Sequence, residues 1–389
     1  ISMKNNFLPR TSLLVILLGF ATIKSNAQTK NFSATISLKN NSTLPYIAKV
    51  VEVDWKLIEN TTEKIDTSKL IVVDPITKKQ VGFQLETFGT TSIVNLLLQV
   101  DMQPNQSKQF LITYGTREVF ATKTFGRYVP ERKEDFAWEN DKIAFRMYGK
   151  ELEKTPKEMA YGMDVWVKKT DRMILNERYK RGEYHIDHGD GMDYYHVGFT
   201  LGAGNMAPYI DDSIYYSKNY NGYKLLDNGP LRTSFQLMYD EWTVGTKNVK
   251  STKTITLDAG SQLNKITAQY SNYSDSGINV LAGIILRKGN GVKYLDAVNG
   301  IASYWEPEHG KDGITGVACI INNPLTILEE KKGQILLKTT TDKNHTITYY
   351  SGAVWNKAGS ITNATMWNDY VINFKQQLST SLEIKVAKK

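Results

Sequence analysis

Apolar and polar residues alternate with a period of two through most of the chain. In the first third this pattern marks strands at 32–38, 47–53, Leu70–Val73, 81–85 and 110–114, separated by Asn, Asp-Pro and Pro-Asn turn signals. Asp74-Pro75 opens a segment, 74–79, that should close a hairpin. Residues 115–135 are charged and turn-rich, and they read as a connection between domains. Beyond them 136–148 is apolar at Ile143, Phe145 and Met147 with Arg146 and Tyr148 between. One face of that strand should pack in a core while the other carries a cation and a phenol. Further strands are expected at 231–242, 250–257, 263–270, 278–286, 313–321, 334–339 and 345–350. Residues 198–228, rich in Gly, Asp, Asn and Tyr, read as a long ordered loop system of the kind that carries function. Only 366–378 has helical spacing, and 382–386 should form a final strand. The expected fold is all-β, with an N-terminal β-sandwich over 28–118 and a large antiparallel double-sheet sandwich over 119–389.

The first 27 residues break the pattern. Lys4 and Arg10 precede an apolar run, 13–21, and Ser25-Asn26-Ala27 follows it. This is the layout of a secretory signal, with an apolar stretch too short to span a bilayer. Export to the periplasm or cell surface of a Gram-negative bacterium is therefore expected, with no membrane span in the mature chain. The formal charge of +8 loses three cations and no acidic residue with that segment, leaving about +5. Without a Lys/Arg block the excess does not point to nucleic acid, but it suits an anionic small or oligomeric ligand. Cys319 is the only cysteine, so no disulfide can form within the chain. The 22 Tyr and 7 Trp serve β-sheet packing and also suit carbohydrate, because an aromatic face packs on the apolar face of a sugar ring.

Chemistry concentrates at 178–199. Three of the five histidines, His185, His188 and His196, lie there with four tyrosines, including Tyr194 and Tyr195, and with Arg178, Lys180 and Arg181. As metal ligands the histidines would have Asp187, Asp190 and Asp193 beside them, but the spacing matches no closed zinc signature. Acid–base chemistry without a metal or other cofactor is the stronger reading: imidazole accepts a proton near neutral pH, Tyr returns one, and Arg or Lys holds a carboxylate. On this reading His185 or His188 is the base, His196, Tyr194 or Tyr195 the acid, and Arg146 with Arg181 the carboxylate clamp. Arg287, Trp305 and His309 supply further candidate contacts, with Trp305 able to stack on a sugar. A pair of glycosidase carboxylates among Glu139, Asp141, Glu183 and Asp193 stays open. No nucleophile motif or phosphate-binding glycine loop is present.

The sequences Trp138-Glu-Asn-Asp-Lys-Ile-Ala-Phe-Arg-Met-Tyr-Gly149 and Tyr184-His-Ile-Asp-His-Gly-Asp-Gly-Met-Asp193, with Gly202-Ala-Gly204 and Leu257-Asp-Ala-Gly260, resemble a family of exported Bacteroidetes proteins labelled as a domain of unknown function. One member of that family acts in ulvan breakdown as an oligosaccharide dehydratase. The resemblance implies removal of water from a non-reducing-end uronic acid, giving an unsaturated sugar. The strand pattern with Asn140 and Arg146 also resembles the galactose-mutarotase-type supersandwich, which implies sugar contacts on a sheet face that Trp138, Asn140 and Tyr148 would share. A polysaccharide lyase cutting by β-elimination and a non-catalytic carbohydrate-binding protein are the alternatives.

Overall fold

The computed structural model describes residues 33–61, 65–271, 276–380 and 382–389; the expected signal segment lies outside them. The chain is an all-β sandwich protein with few helices. Its N-terminal part is two small sheets. One has the order Leu382–Lys388, Ser33–Asn40, Ser107–Tyr114, Leu70–Val73; the other, Tyr46–Asp54, Asn95–Met102, Phe83–Glu86. Alternate residues of Ser33–Asn40 (Ala34, Ile36, Leu38) meet Val51, Val53, Leu96, Leu98 and Phe110 in a core of their own. Asp74 folds the expected hairpin by accepting the backbone N–H groups of Ile76 and Thr77 at 2.8 and 3.2 Å. The last strand belongs to this module rather than to the second region: Val386 pairs with Ile36 across an antiparallel ladder.

An eight-stranded antiparallel sheet, running from Gly222–Asn228 to Val292–Asp296, is the main layer of the second region. Two five-stranded sheets pack on it through one shared core that includes Phe145 and Val165 from the first sheet, Met206 and Ile284 from the second, and Phe235 and Tyr349 from the main layer. Three expectations are corrected here. The 115–135 connection contains the strand Thr124–Val129, the 136–148 strand is the hairpin Asp135–Asn140 with Ala144–Met147, and the 198–228 loop contains Ala203–Ile210 and Gly222–Asn228. Among the described residues no helix is long and apolar enough to cross a membrane.

Arg232 ties the two regions. Its guanidinium donates to Asp258 at 2.6 and 2.9 Å and, across the junction, to Glu52 at 2.6 Å and Glu86 at 2.9 Å. Removing it strands carboxylates at a buried junction, a loss of the kind that costs roughly 3–5 kcal/mol. Chemical denaturation of Arg232→Met should therefore show a large drop in stability. A stability within 1 kcal/mol of the native chain, roughly what an ordinary surface change does, would mean the junction does not depend on it.

Candidate active site

The first five-stranded sheet, ordered Gly191–Met192, Asp164–Lys168, Ala144–Met147, Asp135–Asn140, Thr124–Val129, has one face in the shared core. The other carries charge. Asp135, Arg146 and Asp164 stand on adjacent strands, Asp164 directly paired with Arg146 in the ladder. This face is covered by the short Leu175–Arg181 helix and by 182–199, the stretch in which histidine and tyrosine concentrate. Glu139 fastens the helix by accepting the N–H groups of Ile174 and Leu175 at 2.7 and 2.8 Å, and its other oxygen takes Lys168 Nζ at 2.6 Å. Gly191 returns the covering segment to the sheet edge at φ +102°; a Cβ there would lie 2.1 Å from the Val167 carbonyl oxygen, so only glycine fits.

Arg146 is the centre of the buried cluster. Its Nη2 lies 2.5 Å from Asp164 Oδ2 and 3.0 Å from Asp193 Oδ2, its Nε donates to Asp164 at 2.9 Å, and Asp135 Oδ2 is 3.7 Å from Nη1. Trp166 and Tyr148 sit 5.0 and 4.9 Å from its guanidinium carbon. Two of the three carboxyls are harder to ionise here than in water. Burial pushes Asp135 up to about 6 against the pull of Arg146 and Arg132. Burial first, and the neighbouring Asp164 charge second, push Asp193 up as well. The cluster is saturated: Arg146 is 3% exposed and its guanidinium is taken up by Asp164 and Asp193, so it is not a clamp for a substrate carboxylate.

At the solvent edge of this cluster stands His185. Its Nδ1 is 2.8 Å from the backbone oxygen of Asp193 and 3.6 Å from that residue's Oδ2. A carbonyl oxygen can only accept, so Nδ1 carries the hydrogen and the neutral ring presents Nε2 as its basic nitrogen. The side chain is 68% exposed, against a tilted Tyr184 ring at 4.7 Å. Tyr184 is half-buried, stacked on Trp166 at 4.8 Å, and interacts electrostatically with Arg132. Arg132, which donates to Asp135 at 3.1 Å and keeps part of its side chain exposed, is the cation that a ligand can reach here.

The other candidates divide by burial. Trp138 is fully buried and donates to Asn264 at 2.7 Å; it is core. Asn140 spends its amide on the Asp258 and Ser261 carbonyls, and Arg178, fully buried, donates to the Val167 and Asp190 carbonyls. Tyr148 and Tyr195 are wrapped on all sides, and Trp305 packs with Trp367 under the Ala364–Leu378 helix. None of these six can touch a sugar as the chain stands. The three histidines do not converge: His188 faces Glu183 at 3.7 Å, while His196 is exposed and has its carbonyl held by Arg287. Among the described residues no three His, Cys, Asp or Glu side chains are grouped to hold a metal ion. Lys180 and Arg181 are exposed on the helix, Arg181 lying 3.4 Å from Asp190.

A second group adjoins the first through consecutive residues 193–195. Tyr194 hydrogen-bonds Thr315 at 2.6 Å and stacks on His309 at 5.2 Å, and His309 meets Asp312 at 3.0 Å. Arg287 lies over the Tyr195 ring at 4.5 Å and donates to Glu306 at 2.9 Å. Burial nevertheless pushes Glu306 up to about 7 from an ordinary 4.5, because the desolvation of its carboxyl outweighs the Arg287 charge. A carboxyl raised in the folded state contributes stability fully below its unfolded value and loses it as pH rises through the folded one. Stability should thus fall between about pH 4.5 and 7 on its account. Denaturant titrations at stepped pH should show that decline flattened in Glu306→Gln; an identical decline would assign it to other groups.

A family described as a domain of unknown function (DUF4861) matches residues 38–384. A Formosa agariphila protein described as uncharacterized protein P7 is 30% identical over 399 aligned residues, covering 96% of this chain and 99% of that one. Among solved structures, a glycosyl hydrolase family 38 protein from Enterococcus faecalis superimposes with a TM-score of 0.54 at 12% identity, over 91% of this chain and 47% of the other. An alpha-mannosidase from Enterococcus faecalis V583 gives 0.52 at 11%, over 91% and 46%. The chain spans about half the length of these solved structures, and at such identity the likeness is one of fold. With the family match running over nearly all of the described sandwich, the chain belongs to the DUF4861 family.

Proposed function

We propose that the protein is a carbohydrate-active dehydratase, removing water from the non-reducing-end uronic acid of an ulvan-type oligosaccharide. The observation that carries this is His185: an exposed imidazole whose Nδ1 is pinned by a carbonyl, so that Nε2 faces the solvent as a base. In the reaction Nε2 takes the C5 proton, the electron pair becomes the C4–C5 double bond, and the C4 hydroxyl leaves as water. Hydroxide leaves poorly, so a proton must reach it in the transition state. Tyr184, in ring contact with His185, is the phenol placed to give it. Charge also develops on the substrate carboxylate as the carbon acid ionises. Arg132 meets it, a contribution on the order of 3–4 kcal/mol for one well-aimed donor. The Arg146 cluster acts behind the ring: it holds Asp193, and Asp193 holds the imidazole.

Support for the substrate class comes from the reachable cation beside a base and from a fold shared with carbohydrate-active enzymes. The test follows ultraviolet absorbance and chain length together. Uronate-terminated oligosaccharide should gain the absorbance of a conjugated uronate with no change in its number of sugars. Absorbance accompanied by shortening would make the protein a lyase, and binding without absorbance would make it a carbohydrate-binding protein.

A further inference from the structure

A cavity of about 430 Å³ lies where the N-terminal sandwich meets the eight-stranded sheet and the Ala364–Leu378 helix. It shares no residue with the candidate catalytic face. Its volume falls in the range of small-ligand sites, roughly 300–1,000 Å³. One wall is aromatic and held in place. Tyr370 stacks on Trp367 at 5.5 Å and accepts the Gln262 N–H at 2.9 Å, while Phe374 meets Tyr350 edge-on at 5.3 Å.

Lys49 and Lys265 line the same cavity with Arg232, Glu52 and Asp258. Arg232 engages Glu52 and Asp258, and Glu86 behind them, at 2.6–2.9 Å. The three cations and three carboxylates balance, so the site does not draw ligands by net charge. What it offers is a directed donor. Among the described residues the Lys49 ammonium has no carboxylate within 4.0 Å and no hydrogen bond; its contact is the Phe374 ring, 5.7 Å from Nζ. Burial lowers its proton affinity, as expected of a half-buried ammonium with no carboxylate in contact. An anionic group on a ligand would supply the missing acceptor, and a sugar ring would cover the aromatic wall.

We propose that this cavity binds an acidic sugar unit, its carboxylate or sulfate on the Lys49 ammonium and its ring against Tyr350, Tyr370 and Phe374. The site is non-catalytic and does not depend on the dehydratase reading. Ligand-observed NMR on the full chain tests it with four probes: glucuronate, glucose 6-sulfate, glucose and inorganic sulfate. At least one acidic sugar should bind more tightly than glucose and inorganic sulfate, and the acidic sugar that does names the group Lys49 takes. Lys49→Met should weaken that binding roughly tenfold or more, the worth of a charge-assisted hydrogen bond. Asn373→Trp, at an exposed lining position of the helix, should block the cavity without touching the core. Full binding in either variant overturns the proposal, and so does binding of glucose or inorganic sulfate as tight as that of the tighter acidic sugar.

Discussion

Replacing His185 by alanine should lower the rate of water elimination by roughly 10²–10⁴-fold, the usual contribution of a positioned base. It should hardly change stability, because the side chain is exposed and its hydrogen bond to the Asp193 carbonyl lies at the surface of the cluster. The same change at His188 or His196 should leave the rate near that of the native chain. His188 has only Glu183 at 3.7 Å, and His196 contributes its backbone oxygen rather than its ring to a hydrogen bond. Steady-state rates and unfolding temperatures for the three variants check this together. Equal losses at all three positions would mean that the site is assembled differently.

Arg146→Met should have the largest effect on folding. The guanidinium is the centre on which Asp135, Asp164 and Asp193 converge, and all three carboxyls are buried. Taking away one partner of a buried charged group costs roughly 3–5 kcal/mol, a large share of the 5–15 kcal/mol that holds a domain together. Lysine should rescue little, since a single ammonium cannot reproduce the fork that reaches Asp164 through Nε and Nη2 and Asp193 through Nη2. The sign of the pH dependence follows from the raised carboxyls. Without the arginine their protonated forms are favoured further, so the deficit should shrink as pH falls below about 4, where they become protonated in the unfolded chain too, and grow as pH rises. Urea denaturation at several pH values measures it.

Much of this was legible in the chain. Period-two alternation marks Lys247–Asp258 and Leu263–Ser271 of the eight-stranded sheet, where buried and less buried positions alternate, but it does not show Gly222–Asn228, Val292–Asp296 or Ile301–Trp305 of the same sheet. It failed where both faces are buried. Leu96, Leu97 and Leu98 form a continuous apolar run, and Ala203–Ile210 is buried at all but its last position while containing glycine and proline. Neither shows an alternation to read. Arg146 could be noticed as a cation inside an apolar strand, and 184–196 as a place where proton-carrying groups gather. The three carboxylates that saturate Arg146 come from three separate segments, so only the paired strands reveal them. That is why a residue read as a substrate clamp turns out to be a buried hub. Arg132 gives no signal in the sequence, because the strand before it, Thr124–Val129, carries a glycine and an arginine among its apolar residues and reads as a charged connection.

On the proposed function, His185, over the Arg146 cluster, drives elimination of water from a terminal uronic acid. Mass spectrometry of a uronate-terminated oligosaccharide after incubation tests it most directly. The expected product is lighter by one water with every sugar retained, formed by the native chain and nearly absent with His185→Ala. An unchanged mass, two shorter fragments, or the same loss of water from the His185 variant would contradict it.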